Sequence, residues 1–183
     1  MNTWIALLRG INVGGNNILP MMELKKALES LSLTNVKTYI QSGNIVFNTP
    51  STNAKKLSSK MSSLIEDEHG FRPHVMLLNC QQLQVAVNSN PFVEIALSHK
   101  SLHFYFLNEI PAAPDLKALE EAKSASEVFA LLGRVFYLYA PDGVGRSKLA
   151  ARVENYLGVE ATARNNRTVQ KLLIMASELH GKD

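Results

Sequence analysis

The chain has 183 residues and 46% of them are hydrophobic, so it can bury a substantial core in one large domain or two small ones. No apolar run approaches the roughly 20 residues that a membrane-spanning helix needs, and we expect no membrane partner. The single cysteine excludes an internal disulfide, and the N-terminus lacks the basic segment of a secretory signal. These features predict a cytoplasmic protein. A net charge of +3 does not by itself indicate nucleic acid.

The first half of the chain predicts four strands and three helices. Residues 3–9 are apolar on both faces, which is typical of a strand that is covered on both sides. Pro20 is placed to begin a helix, and Gly70 is placed to end a longer one that opens near residue 50. The remaining predicted elements are strands over 35–41, 44–48 and 73–78 and a helix over 79–88. Their order is β-α-β-β-α-β with an extra helix, which is the ferredoxin-like pattern.

The second half predicts the same order again. The predicted strands cover 101–107, 127–132, 134–140 and 159–163, and the predicted helices cover 114–123, 145–157 and 165–179. Pro114 occupies the same place in this half as Pro20 does in the first. We therefore predict an α+β fold made by tandem duplication of a ferredoxin-like unit with antiparallel sheets. The predicted domains are 1–92 and 93–183.

A segment rich in glycine and asparagine follows the first strand. In a split βαβ unit the strands lie in the order 4-1-3-2, so residues 9–15 and 41–44 are predicted to converge at one edge of the sheet. The first helix is expected to point its unpaired N–H groups to the same edge. One interpretation is a site for an anion or a polar group, and the alternative is turn chemistry, in which glycine and asparagine supply positive φ angles. The candidate ligand-binding residues of this first edge are Arg9, Asn12, Gly14, Gly15, Asn16, Gln41, Ser42 and Asn44.

A second edge is predicted where the third and fourth strands of the second unit end. Residues 143–148 and 162–167 both lead into predicted helices, so two helix N-termini and four cations are expected to gather there. This combination favours a phosphate, and the alternative is a solvated basic rim with ordinary helix caps. The candidate ligand-binding residues of this second edge are Arg146, Ser147, Lys148, Arg164, Asn165 and Arg167.

Neither glycine segment matches a nucleotide-binding fingerprint. Residues 10–15 are not followed by the Lys-Ser/Thr pair of a P-loop, and residues 143–145 lack the third glycine and the parallel strand of a Rossmann motif. The histidines are scattered and no cysteine cluster accompanies them. The sequence therefore indicates no metal site and no cofactor.

Aromatic residues alternate along the first and third strands of the second unit. The alternation is interpreted as placing Phe104, Phe106, Phe136 and Leu138 on one face, and His103, Tyr105, Tyr137 and Tyr139 on the other. Aromatic side chains on the central strands of such a sheet are how RNA-recognition modules stack bases. The alternative, which we favour, is that this face packs against the other half of the chain.

Four segments of the chain together resemble a widespread family of uncharacterised bacterial proteins, which is recognised by an LRGINVGG segment near the N-terminus. The segments that carry the resemblance are 7–15, 39–44, 145–149 and 162–165, and the match continues to Thr168 and to residues 171–172. The resemblance implies a duplicated ferredoxin-like α+β fold and no established activity, cofactor or catalytic residue. Members usually carry an aromatic residue, often Trp, where this chain has Asn166, so a ligand that stacks on that aromatic would bind differently here.

Three functional hypotheses follow from these patterns. The first is a protein that binds an anionic small molecule or a nucleotide at the two edges. The second is a nucleic-acid-binding module, because residues 146–171 contain six basic side chains and only two acidic ones. The third is an enzyme of undetermined reaction that uses Arg9, Gln41 and Ser42 at the first edge.

Overall fold

The computed structural model describes residues 1–95 and 101–180 and shows an α+β fold with two four-stranded antiparallel sheets. The elements of the first half are β1 (Asn2–Leu8), α1 (Met21–Ser30), β2 (Thr34–Tyr39), β3 (Asn44–Thr49), α2 (Ala54–His69), β4 (Val75–Asn79) and α3 (Cys80–Asn88). Each predicted element of this half is present, and its ends lie within a few residues of the predicted ones.

The second half repeats this order. Its elements are β5 (Leu102–Leu107), α4 (Leu116–Ala122), β6 (Val128–Leu132), β7 (Val135–Tyr139), α5 (Val153–Leu157), β8 (Ala161–Asn165) and α6 (Asn166–His180). Two short 3₁₀ turns, Val144–Arg146 and Ala150–Arg152, precede α5. Among the described residues no helix is long and apolar enough to cross a membrane.

The strand order is the same in the two sheets. β1 lies between β3 and β4 with β2 outside β3, and β5 lies between β7 and β8 with β6 outside β7. Every pair of neighbouring strands is antiparallel. This order is the predicted 4-1-3-2, and the prediction of tandem ferredoxin-like units is confirmed.

Contacts along the chain form two compact units. The first contains Met1–Gln84 and the chain from Lys171 onward, and the second contains Val85–Gln170. The domain limits 1–92 and 93–183 stay a prediction, and residues 96–100 and 181–183 lie outside the described chain.

The helices of the first unit cover one face of its sheet. Trp4 and Leu8 project from β1 into a buried cluster that also contains Leu24 of α1 and Leu57 of α2. Ile5, which points to the opposite face, is also fully buried. Because both faces of β1 are covered, the strand is apolar along almost its whole length, as predicted.

The predicted helix over 145–157 is wrong, because only Val153–Leu157 is α-helical. Before it, the chain forms the two 3₁₀ turns, and Ser147 between them is extended, with ψ of 118°. The Ser147 hydroxyl oxygen accepts a hydrogen bond from the Ala150 N–H at 2.9 Å. A serine that offers its oxygen to the backbone in this way competes with a continuous helix and favours a cap.

Strand pairing overturns the predicted faces of the aromatic strands. Phe104 lies opposite Tyr137, and Tyr105 lies opposite Phe136. Residues directly opposite each other share a face. The two faces therefore carry Phe104, Phe106, Tyr137 and Tyr139 on one side, and His103, Tyr105, Phe136 and Leu138 on the other. Alternation fixes the faces within one strand, but only the register fixes which faces of two strands coincide.

Gly43 lies where the turn between β2 and β3 meets the end of β1. Its φ is +68°, and a Cβ at this position would come within 2.6 Å of Leu8 Cβ and 2.7 Å of Ile11 Cδ1. We expect Gly43→Ala to lower the free energy of unfolding by about 2–4 kcal/mol, because backbone strain and overpacking act together. Urea denaturation measures this change.

Gly70→Ala is the matched control for this prediction. Gly70 also has a positive φ, +75°, but a Cβ there meets no atom within 4 Å. Only the backbone strain applies, so we expect a loss of about 1 kcal/mol. Equal losses in the two variants would contradict a close packing contact at Gly43.

Candidate functional site

The first edge is built on a short β-hairpin that was not predicted from the sequence. Val13 and Asn16 form an antiparallel bridge, in which the Asn16 N–H donates to the Val13 carbonyl at 3.0 Å. Gly14 and Gly15 between them have φ angles of +59° and +77°. Two consecutive positive φ angles define a type I′ turn, which glycine adopts without steric cost. The turn is thus a sufficient physical reason for the two glycines.

Asn12 connects this hairpin to the turn before β3. Its side-chain amide donates to the carbonyls of Leu19 at 2.9 Å and Gln41 at 2.8 Å. Its side-chain oxygen accepts from the Leu19 N–H at 2.8 Å. Asn12 itself has φ of +53°, a conformation that asparagine tolerates better than most residues. These contacts confirm the predicted convergence of residues 9–15 and 41–44.

The turn before β3 is held by Asn44. Asn44 is fully buried, and its side-chain amide donates to the Tyr39 carbonyl at 3.1 Å and to the Ser42 Oγ at 2.8 Å. The Leu8 N–H donates to the Gly43 carbonyl at 2.8 Å. Hydrogen bonds within the fold therefore occupy the side-chain amides of Asn12 and Asn44, two of the residues that were predicted to orient a ligand. A binding role for these residues stays a prediction.

Arg9 lies at the end of β1 with its side chain half-buried. Its backbone N–H donates to the His74 carbonyl at 3.0 Å, which continues the pairing of β1 with β4 by one residue. The helix that follows the hairpin, α1, has Pro20 at its N-cap and Glu23 in its first turn. The carboxylate of Glu23 opposes the attraction that a helix N-terminus has for an anion. The first edge is thus electrostatically mixed.

The second edge contains a cavity of about 340 Å³ beside the first 3₁₀ turn. Its lining includes Gly143, Arg146, Ser147 and Lys148. Arg146 and Lys148 are exposed, and no carboxylate in the described part of the chain lies within ion-pair distance of either. Two cations that were predicted to bind a ligand therefore lie at one cavity, and neither has an ion-pair partner among the described residues.

The other side of the same cavity, which carries its acidic residues, was missed by the sequence analysis. The lining also includes Glu121, Lys123, Ser124, Glu127 and Asp142. These residues come from the end of α4, from the segment between α4 and β6 and from the turn after β7. The two segments are adjacent because Val128 at the start of β6 lies opposite Tyr139 at the end of β7. The predicted hairpin turn at Gly133 is the sequence signal for this proximity, because pairing residues outward from the turn makes the two segments neighbours.

Arg164 does not line this cavity. β8 runs two residues later than predicted, so Arg164 lies within the strand, opposite Phe104. β8 and β6 are the two outermost strands of the sheet, on opposite sides. Burial lowers the pKa of Arg164 to about 10, which still leaves the guanidinium charged at neutral pH.

Asn165, Asn166 and Arg167 lie around the start of α6. The Asn165 side-chain oxygen accepts from the Thr168 N–H at 2.9 Å, which is the geometry of a helix N-cap. Asn166 is buried, and its side-chain oxygen accepts from the Gln170 side chain at 3.3 Å. Arg167 is exposed. The described lining of the cavity contains none of these residues, so the predicted gathering of four cations is not found there.

The aromatic rings at the centre of the second sheet are buried. Phe104, Tyr105 and Tyr137 expose 0%, 7% and 1% of their surface. The Tyr137 hydroxyl donates to the Ala86 carbonyl at 2.7 Å, and burial raises the pKa of Tyr137 to about 12. Base stacking needs an exposed ring, so these three residues do not form a stacking platform.

The fold and the cavity define a duplicated ferredoxin-like α+β protein with a charged cavity in its second unit. In the part of the chain that the structure describes, no three His, Cys, Asp or Glu side chains are grouped to hold a metal ion. Residues 1–137 match the family described as "Protein of unknown function (DUF1697)", and the chain belongs to that family. The family resemblance predicted from the sequence is confirmed.

A solved structure, that of conserved bacterial protein SP0830 from Streptococcus pneumoniae, is similar to this chain over almost its whole length. The similarity covers 96% of this chain and 98% of that one, with 25% sequence identity and a TM-score of 0.69. No curated protein matches the chain. The comparisons therefore support the fold and the family.

Asn12→Ala tests the structural role of the asparagine at the first edge. The substitution removes three hydrogen bonds and leaves alanine at a positive φ. We expect the free energy of unfolding to fall by about 2–3 kcal/mol. Asn16→Ala is the control, since Asn16 is exposed and its hydrogen bond is made by the backbone, and we expect a change within about 0.5 kcal/mol. If chemical denaturation gave similar losses in the free energy of unfolding for both variants, the side-chain hydrogen bonds of Asn12 would not be stabilising the fold.

His103 on β5 is expected to make stability depend on pH. Burial lowers its pKa from the ordinary 6.5, more than a backbone hydrogen bond at Ser101 raises it. As the pH falls through about 6.5 the unfolded chain therefore takes up a proton before the folded chain does, and stability is lost on acidification. We expect His103→Gln to have a smaller drop in melting temperature between about pH 7.5 and about pH 5.5 than the wild type. Identical pH profiles would show that His103 does not contribute.

Proposed function

We propose that this protein binds an anionic small molecule in the cavity at the second edge, with Arg146 and Lys148 as the binding cations. The observation that carries the proposal is that both cations line a cavity of about 340 Å³ and that no described carboxylate forms an ion pair with either one. A guanidinium presents a planar fork of donors that matches the oxygens of a phosphate or carboxylate, and an ammonium adds a mobile positive charge.

Ser147 supports the same proposal. It lies between the two cations in the chain and lines the cavity. Its oxygen accepts from the Ala150 N–H, so the hydroxyl hydrogen is the part that a ligand oxygen can use. No acceptor for that hydrogen is found among the described residues. The residue that interrupts the predicted helix thus also offers a hydrogen-bond donor at the cavity.

The size of the cavity favours a small ligand over a polymer. Its volume lies near the lower end of the roughly 300–1,000 Å³ that is usual for small-molecule sites. The nucleic-acid alternative now depends on charge alone, since the central aromatic rings of the second sheet are buried. A mononucleotide or a sugar phosphate fits the cations of the cavity without any need for base stacking on the sheet.

Thermal denaturation with added anions tests this proposal. We expect inorganic phosphate, sugar phosphates or mononucleotides to raise the melting temperature of the wild type by a few degrees at saturation, because a ligand that binds only the folded state stabilises it by mass action. Arg146→Ala and Lys148→Ala should each lose most of this shift, since each removes one of the two cations. The measurement is the melting temperature at low salt as a function of ligand concentration.

Arg167→Ala is the matched control, because it removes an exposed arginine that does not line the cavity. It should keep the full shift. Equal losses of the shift in Arg146→Ala and Arg167→Ala would indicate that anions bind through the overall positive charge of the protein and not in the cavity. Loss only in Arg9→Ala would move the site to the first edge. No shift with any anion, together with a gel shift of single-stranded RNA at low salt, would favour the nucleic-acid alternative.

A further inference from the structure

Glu127 is the buried charged residue in the lining of the cavity. It exposes only 4% of its surface. One carboxylate oxygen accepts from the Ser124 N–H at 2.8 Å, and the Glu127 N–H donates to the Ser124 carbonyl at 3.1 Å. No Lys, Arg or His of the described chain lies within ion-pair distance of this carboxylate. A buried carboxylate needs further donors or a cation to offset the loss of its hydration.

The other two carboxylates of the lining are better satisfied. Asp142 is exposed, and its oxygen accepts from the Ser126 hydroxyl at 2.6 Å. Glu121 is also exposed and forms an ion pair with Lys117 at 3.9 Å. Water and these partners already offset most of the negative charge of both side chains. Glu127 is therefore the acidic residue of the cavity that would gain most from a hydrogen bond or an ion pair with a ligand.

Opposite charges line this cavity without neutralising each other. Arg146 and Lys148 have no carboxylate partner among the described residues, and Glu127 has no cationic one, although all three line the same space. A simple anion is attracted by the two cations, but it is also repelled by the negative charge of Glu127. A ligand that carries a donor beside its anionic group satisfies both kinds of charge.

We infer that the ligand of this cavity carries an ammonium or hydroxyl donor in addition to its anionic group, and that the second carboxylate oxygen of Glu127 accepts from that donor. This inference rests on the proposed anion site at Arg146 and Lys148. It narrows the ligand class to small phosphorylated or carboxylated amines and polyols. Simple anions such as inorganic phosphate then bind more weakly, because they offer Glu127 no donor and are repelled by its negative charge.

Calorimetric titration of the full chain with three probes tests the inference. Methyl phosphate supplies the anion alone, phosphoethanolamine adds an ammonium, and glycerol 3-phosphate adds hydroxyl groups. We expect one of the two donor-bearing probes to bind at least about tenfold more tightly than methyl phosphate, as expected for a charge-assisted hydrogen bond. Which of the two binds more tightly identifies the donor. This ratio is measured on the wild type and does not depend on the folding of any variant.

Glu127→Gln keeps an oxygen that can accept from the Ser124 N–H but removes the charge. We expect it to bring the affinity ratio close to one while methyl phosphate binds at least as well as before. Glu121→Gln makes the same change of charge at the exposed residue of the lining, and it should keep the ratio. Equal binding of all three probes to the wild type would overturn this inference and leave the anion site in place. No binding of any probe would remove the anion site itself.

Discussion

The two central strands, β1 and β5, impose the constraint on which the positions of both edges depend. Each is paired with a neighbour on both sides, and residues on both of its faces are buried. Examples are Trp4 and Ile5 on β1, and Phe104 and Tyr105 on β5. A strand without a free backbone edge cannot slide without breaking two ladders of hydrogen bonds. The loops at its ends are therefore held in place. In the first unit this brings the Gly43 turn against Leu8, and in the second it fixes the sheet beside which the charged cavity lies.

Glycine and asparagine at the first edge are compatible with two different structures, which have the same sequence pattern. A loop that binds an anion and a hairpin that turns tightly both require positive φ angles and short polar side chains. The hydrogen bonds made by Asn12 and Asn44 show that these amides hold the hairpin and the β2–β3 turn together. The glycines and asparagines of residues 7–15 are thus explained in large part by folding.

At the second edge, local and long-range interactions act on the same few residues. Ser147 ends one 3₁₀ turn and accepts a hydrogen bond from the Ala150 N–H at the start of the next, so Arg146 and Lys148 flank an extended residue and do not lie on one face of a helix. The β6–β7 pairing then brings Glu127 to the cavity that they line. The resulting mixture of cations and a buried carboxylate is what distinguishes this cavity from a simple basic rim. It is also the feature on which both proposals depend.

The sequence by itself determined the order of strands and helices and the duplication, because apolar periodicity, Pro20 and Gly70 act over a few residues. It also placed residues 41–44 beside residue 12, since the topology follows from that order. The break at Ser147 was decided by a hydrogen bond that competes with the helix, which apolar spacing does not record. The predicted hairpin at Gly133 already brings the segments of Glu127 and Asp142 close together, but only the tertiary structure decided which aromatic faces coincide and that Glu127 and Arg146 line one cavity. Register and charge balance depend on distances in space between residues that are far apart in the chain, and no local pattern encodes those distances.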